Sequence, residues 1–329
     1  MAKTFNTKAK SLIRNEWSKP LLKFLSRRLN KKLLYLGLPS PIAEDIEEWI
    51  DFIDEVIAFQ CREYGKPSDV GQSREDIEVL EERLNRYERQ GLLNTFTVYD
   101  GYIEEVILKG VDNISKEFSQ SNTIKVYNLD FCNSITSPIE YTDKYGNIQA
   151  AFKFNAVKKL LRLQSELEEN KQEFVLFLTI HASYKGQELV NFINNPDTAE
   201  HKELLEKYNT RKGVEKRSRI LRLFVIDTLQ NYFRENHFVP HFLPTILYKG
   251  LNGTQLLHFS IVGFREKPNV GRTSWLQGVG ELCNEKLITT NNDIFELISD
   301  DILKESDIKS ISSVDIFSSS KTFNNIWQR

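Results

Sequence analysis

Phe242-Leu-Pro-Thr-Ile-Leu-Tyr248 and Gln255-Leu-Leu-His-Phe-Ser-Ile-Val-Gly-Phe264, joined by Lys249-Gly-Leu-Asn-Gly253, decide how this chain is read. Two apolar runs separated by Asn-Gly are a strong local signal for an antiparallel hairpin, because those two residues accept the positive φ of a tight connection. Everything upstream has a different rhythm. Short apolar strands at 32–37, 55–60, 93–99, 124–129 and 173–181 alternate with amphipathic helices at 41–53, 73–89, 102–108 and 155–167. Ser40 is the expected N-cap of the first of these, and residues 143–146 read as a loop. Further helices are expected at 187–193, 199–208 and 216–233. Strands that alternate with helices pair in parallel through right-handed crossovers. The fold class expected is therefore α/β, with a mostly parallel Rossmann-like sheet and a C-terminal antiparallel hairpin.

The flanks differ from this body. Residues 11–29 are amphipathic and interrupted by Pro20, and read as two short helices covering a face or edge of the sheet. The division expected is a basic helical segment over 1–30, the α/β domain over 31–265 and an accessory segment over 266–329. No run of eighteen apolar residues occurs and the N-terminus lacks a signal-peptide apolar core, so a cytoplasmic protein with no membrane segment is expected. Cys61, Cys132 and Cys283 stand far apart with no metal-ligand spacing to each other or to the histidines, which argues against a structural zinc or a disulfide framework. The Asn- and Lys-rich, Met-poor composition suggests a bacterial genome of low GC content.

Charge is balanced overall, with a formal net charge of −2, but unevenly spread. Residues 1–32 hold ten Lys/Arg against the single acid Glu16, while 40–105 hold eighteen acids against six Lys/Arg. A second basic run spans 207–222 and includes Arg211, Lys212, Lys216, Arg217, Arg219 and Arg222. Two basic segments flanking an acidic one would steer a polyanion to one face; solvation of helix faces explains the same charges.

The fourth strand runs into Asn128-Leu-Asp-Phe-Cys-Asn133. Open α/β sheets bind ligands beyond the carboxyl ends of their strands, so a polar cluster there marks a pocket; a turn in which Asn128 and Asp130 satisfy their own backbone is the alternative. Five parallel strands, a long helix and a closing antiparallel hairpin resemble the class I methyltransferase fold, the Rossmann-like domain of S-adenosylmethionine-dependent enzymes. The resemblance spans residues 30–265. It implies a cofactor held by the loop after strand one, the end of strand two and the turn after strand three. Those positions carry Gly37, Gln60, and Asp100 with Gly101.

The chain departs from the family pattern at two of them. Its loop after strand one has a single glycine followed by Pro39 and Pro41, and Gln60 stands where an acid normally accepts the ribose hydroxyls, with Glu63 three residues on. Gly37 also fits a plain turn, and Asp100 a helix N-cap. Asn128, Asp130 and Phe131 are similar to the Asn/Asp-Pro-Pro-aromatic motif of amino-group methyltransferases, without its prolines, and are the implied catalytic set. Thr179 and His181, at the end of strand five, fall near the same crevice. The resemblance implies an S-adenosylmethionine-dependent enzyme acting on nucleic acid, at an exocyclic base amine; the charge distribution makes 1–32 and 207–222 the expected polyanion contacts. The alternative is a catalytically inactive binding or assembly subunit with a protein partner.

Overall fold

The computed structural model describes residues 6–61, 74–131, 135–143, 145–168, 172–182, 186–265, 287–291, 294–298 and 312–319. Cys132 and Asn133 of the fourth-strand cluster, and Glu63, lie outside them. The N-terminal segment is one helical run rather than two short helices broken at Pro20. It consists of α1 (Lys8–Leu12), a π-helical turn (Ile13–Ser18) and α2 (Lys19–Leu29). Pro20 falls in the first turn of α2, where a missing N–H is tolerated, and the wide turn before it accommodates the proline ring. Ile13, Trp17, Leu21, Leu22 and Leu25 recur at helical spacing and are all buried.

The body then alternates as its sequence pattern requires. It comprises β1 (Leu33–Gly37), α3 (Glu44–Trp49), β2 (Ile53–Gln60), α4 (Arg74–Arg89), β3 (Thr95–Asp100), α5 (Ile103–Lys109) and β4 (Val126–Asp130). A hairpin of β5 (Ile139–Thr142) and β6 (Ile148–Ala151) precedes α6 (Lys153–Glu166) and β7 (Glu173–His181). Three helices follow: α7 (Gln187–Asn194), α8 (Ala199–Asn209) and α9 (Gly213–Glu235). The last strands are β8 (Phe238–Phe242), β9 (Thr245–Lys249), β10 (Gln255–Arg265), β11 (Leu287–Asn291) and β12 (Ile294–Ile298), before α10 (Ser313–Ser319).

The main sheet has the order β3-β2-β1-β4-β7-β10-β9-β11-β12, with β8 also paired to β10. β1, β2, β3, β4 and β7 are mutually parallel. β10 is antiparallel to both neighbours, β7 and β9, so it sits reversed between parallel strands, and β12 at the edge is antiparallel to β11. The order turns back at β1/β4, which makes that crevice the topological switch point. A mostly parallel Rossmann-like sheet with a C-terminal antiparallel hairpin is thus the architecture of the protein, and the strand order itself carries this conclusion.

Several local expectations change. The strand expected over 242–248 begins only at Thr245, as β9, because Pro244 cannot donate to the ladder and the chain jogs at Leu243; β8, which ends at Phe242, lies almost wholly before the expected range. Leu243 N–H still reaches Ser260 O at 2.9 Å, so β8 and β9 share β10 end to end. The helix expected from Pro41 begins only at Glu44. A turn closed by Ala43 N–H on Ser40 O precedes it, and Ala43, not Ser40, is the capping residue. The loop expected at 143–146 is the tip of the β5–β6 hairpin. In the C-terminal segment, β11 pairs in parallel with β9, so it extends the main sheet.

Alternating side chains of the sheet bury two cores. On one face α5, α6 and α9 cover Leu36, Tyr127, Leu129, Phe174, Leu176 and Phe259. On the other, the N-terminal helical run, α3, α4 and α10 cover Tyr35, Val56, Phe177, Leu256 and Phe264. In β10 a glycine is demanded by packing. A Cβ on Gly263 would overlap the ring of Phe174, which also meets Tyr127, Phe233 and Phe238 edge-on or stacked. We expect Gly263→Ala to destabilise the protein by about 1–3 kcal/mol through overpacking, read as a lower urea midpoint; a neutral substitution would mean the Phe174 cluster can shift freely.

Candidate functional site

A cavity of about 710 Å³ opens at the carboxyl ends of β1, β2, β3, β4 and β7. Each wall follows from the sheet register. The loop Leu38–Pro41 continues β1, Gln60 and Cys61 end β2, Gly101–Glu105 follow β3, and Asn128, Asp130 and Phe131 end β4. Thr179 of β7 and His258 of β10 complete the floor, and Lys10, Ile13 and Arg14 of the N-terminal helical run form a wall.

Of the residues singled out in the sequence, Gly37 and Asp100 are not cavity-lining; Gln60, Gly101, Asn128, Asp130 and Phe131 are. Gly37 pairs with Asn128 across β1–β4, and a Cβ there would stand 2.5 Å from both Asn128 O and the Tyr35 hydroxyl. Close packing of the strand pair therefore accounts for the glycine. Asp100 is buried, and its carboxylate faces Asn113 Nδ2 at 3.5 Å while its backbone N–H donates to Asp112 Oδ2. It is not the N-cap of α5, which is Tyr102.

Asn128 is largely committed within the protein. Its Nδ2 donates to Asp45 Oδ2 at 2.6 Å and to the Tyr35 hydroxyl at 3.2 Å, and that hydroxyl donates to the same Asp45 oxygen at 2.7 Å. Both amide hydrogens are used, which leaves only Oδ1 for a ligand. Burial and the adjacent Asp45 push the Tyr35 phenol well above its ordinary pKa, so it stays a neutral donor. Gln60 is different. It is 5% exposed at the end of β2, and its side-chain amide has no hydrogen-bond partner among the described residues.

Asp130 holds a charge–charge contact that ties the end of β4 to the N-terminal helical run. Lys10 Nζ of α1 lies 2.5 Å from Asp130 Oδ2, and the two side chains are 20% and 30% exposed. Arg14, one turn further on, reaches Glu44 Oε2 at 3.5 Å. Phe131 is buried, and the ammonium of Lys153 lies 5.6 Å from its ring centroid, bonded in turn to Glu104 at 3.3 Å. His181 is not among the lining residues; burial lowers its pKa, which the Asp130 charge partly offsets.

Behind Thr179 runs a chain of buried polar groups that the sequence did not announce. Thr179 Oγ1 is 2.9 Å from His258 Nδ1, His258 Nε2 is 3.2 Å from Ser260 Oγ, and Trp17 Nε1–H donates to Ser260 Oγ at 3.0 Å. The available signal was His258 and Ser260 at alternate positions of an otherwise apolar strand. They share a face, and two polar groups buried side by side must satisfy each other.

Of the second basic run, Arg219 and Arg222 are buried. Arg222 Nε donates to Thr245 Oγ1, and Arg219 pairs with Glu215 beside the ring of Tyr208. Lys207, Lys212 and Arg217 are exposed. Among the described residues no helix is long and apolar enough to cross a membrane.

No protein-family model matches the chain, and no curated protein matches it in sequence. Solved structures similar to it include a candidate RNA methyltransferase from Pyrococcus horikoshii, at 12% identity and TM-score 0.36, covering 82% of this chain and 93% of that one. An amino pentose methyltransferase of calicheamicin biosynthesis from Micromonospora echinaspora is 7% identical, with TM-score 0.35 and coverage of 79% and 92%. The YcgJ protein from Bacillus subtilis is 11% identical, with TM-score 0.35 and coverage of 75% and 98%. The reversed β10 and the strand order, rather than these distant likenesses, define the mostly parallel Rossmann-like fold of this chain.

Proposed function

We propose that the cavity is an S-adenosylmethionine site and that the protein methylates an exocyclic base amine of a nucleic acid. The observation that carries this reading is Asp130. It is an acid at the end of β4, facing a cavity at the switch point, and it already holds an amine, that of Lys10. A volume near 710 Å³ suits a nucleoside-sized ligand together with a planar target group.

The residues present fit the adenosyl half of the cofactor. The unpartnered Gln60 amide offers both a donor and an acceptor to the ribose hydroxyls, and Gly101 lines the cavity beside it. Lys10 and Arg14 supply positive charge for a carboxylate. When bound, the cofactor brings an electrophilic methyl group. The protein orients the acceptor: Asp130 takes an N–H of the target amine in place of Lys10, and Phe131 contributes an apolar wall. Lys207, Lys212 and Arg217, exposed on the second basic run, favour a polyanion, and binding of RNA or DNA that weakens steeply with salt would support this.

One set of observations favours a second reading, a catalytically inactive binding or assembly subunit. Gln60 lacks the charge that strengthens a bidentate ribose contact, Pro39 and Pro41 remove N–H donors from the loop after β1, and Lys10 occupies Asp130. Calorimetric titration with S-adenosylmethionine and S-adenosylhomocysteine separates the two. We expect saturable binding of both, weakened about tenfold by Gln60→Ala as the ribose contact is lost. No heat with either ligand at about millimolar concentration, where even a weak site of roughly −4 kcal/mol registers, decides for the inactive subunit.

A further inference from the structure

The hydrogen positions along the Trp17–Ser260–His258–Thr179 chain follow from the inventory of donors. An indole N–H only donates, so Ser260 Oγ accepts from Trp17. Ser260 is 1% exposed, and the only acceptor for its own hydrogen among the described residues is His258 Nε2. That nitrogen is therefore unprotonated. His258 is fully buried and its pKa is lowered to about 4 by desolvation, so the ring is neutral and carries its hydrogen on Nδ1. Nδ1–H donates to Thr179 Oγ1. Thr179 spends its oxygen as an acceptor and keeps its own hydrogen for whatever occupies the cavity it lines.

The opposite tautomer has a poorer balance. With Nε2 protonated, Ser260 Oγ would accept two hydrogen bonds, and its hydrogen would be sealed in the core without a partner. A buried unsatisfied donor is penalised, whereas a hydroxyl hydrogen facing a wet cavity is not. The chain is thus a polarised relay anchored by Trp17 and ending in a donor.

Asp130 and Thr179 are register partners on the parallel strands β4 and β7, and both line the cavity. Strands in a sheet lie about 5 Å apart, so an obligate acceptor and a fixed donor stand side by side. We propose that Thr179 is the specificity-determining residue of this cavity, and that Asp130 and Thr179 together read a ligand edge in which an amine lies next to a hydrogen-bond acceptor. An exocyclic amine beside an unprotonated ring nitrogen, as in cytosine, has that order; the carbonyl beside a ring N–H of uracil has the reverse. This deepens the proposed function and rests on it for the identity of the reaction, but not for the recognition.

Cytidine and uridine are the matched probes, because they differ only in the order of donor and acceptor on that edge. In titrations of the full chain followed by NMR, cytidine is expected to bind and to shift the His258 ring signals, while uridine does neither. Thr179→Val should weaken cytidine about tenfold, and Thr179→Ser, which keeps the hydroxyl, should restore it. Imidazole nitrogen shifts should report His258 protonated on Nδ1 alone. Equal binding of cytidine and uridine, no binding of either, an unaffected Thr179→Val variant, or a ring protonated on Nε2 would each overturn the proposal. None of these readouts uses the cofactor, so a failure to bind S-adenosylmethionine removes the methyl-transfer reading separately.

Discussion

Between about pH 7.5 and 4.5 the unfolding free energy is expected to fall by about 5 kcal/mol, through His258 and His241 alone. Both imidazoles are buried, and desolvation lowers each pKa to about 4. Above pH ~6.5, the ordinary value, neither the folded nor the unfolded protein protonates them, and stability does not depend on them. As pH falls below that value the unfolded chain takes up two protons that the folded protein refuses. Stability declines until the folded pKa near 4 is reached, and the contribution levels off beneath it.

Each ring accounts for about half of the loss, because a proton refused by the folded protein costs roughly 1.4 kcal/mol for every pH unit below the unfolded pKa. The two can be separated. His241 packs against the ring of Phe317, and neither of its nitrogens has a hydrogen-bond partner among the described residues. His241→Leu should therefore be neutral or stabilising at neutral pH and should remove about half of the acid loss that these two rings carry. Urea unfolding at several pH values measures both. A stability that stays flat over this range, or an unchanged slope in His241→Leu, would contradict the burial of these rings.

Replacing Trp17 by Ala is expected to cost about 3–5 kcal/mol, the range for emptying a buried indole. Trp17 has no exposed surface, and three parts of the chain meet on it. Its ring packs against Phe295 of β12 at 5.4 Å, its N–H bonds Ser260 of β10, and its carbonyl accepts from Ser313 Oγ of α10 at 2.6 Å. The N-terminal helical run is held to the sheet by this residue and its neighbours, so Lys10 and Arg14 depend on it for their position at the cavity. Trp17→Phe keeps most of the bulk but removes the donor, and should cost only about 1–3 kcal/mol while releasing the tautomer of His258. Chemical denaturation gives the first number and imidazole nitrogen shifts the second. A loss below about 1 kcal/mol for Trp17→Ala would mean that the N-terminal run is not part of the folding unit.

Local pattern settled the order of elements. Period-two and short apolar runs placed β1, β2, β3, β4 and β7. The apolar Gln255–Phe264 run together with the Asn-Gly connection marked an antiparallel hairpin at β10, and the polar cluster after the β4 run marked Asp130. These are properties of neighbours along the chain, and a few residues of sequence suffice to state them. The strand order that sets the crevice at β1/β4 was implied only by the resemblance and is shown by the pairings. The β5–β6 hairpin escaped because each strand has only four residues: the alternation of Ile139-Glu-Tyr-Thr142 is too short to stand out, and β6 is exposed except at Ala151.

What the tertiary structure alone decided is which distant groups meet. Lys10 and Asp130 are 120 residues apart, Thr179 and His258 are 79 apart, and Trp17 and Ser260 are 243 apart. No periodicity links such pairs. Each exists because the N-terminal run packs on the sheet face and because β10 inserts backwards beside β7. The same packing turned Gly37 from an apparent ligand loop into a steric necessity beneath Asn128, and drew Arg219 and Arg222 out of the basic surface. Sequence determined the scaffold because secondary structure is written in local spacing; the chemistry of the cavity was decided by burial, which forces separated polar groups to satisfy one another.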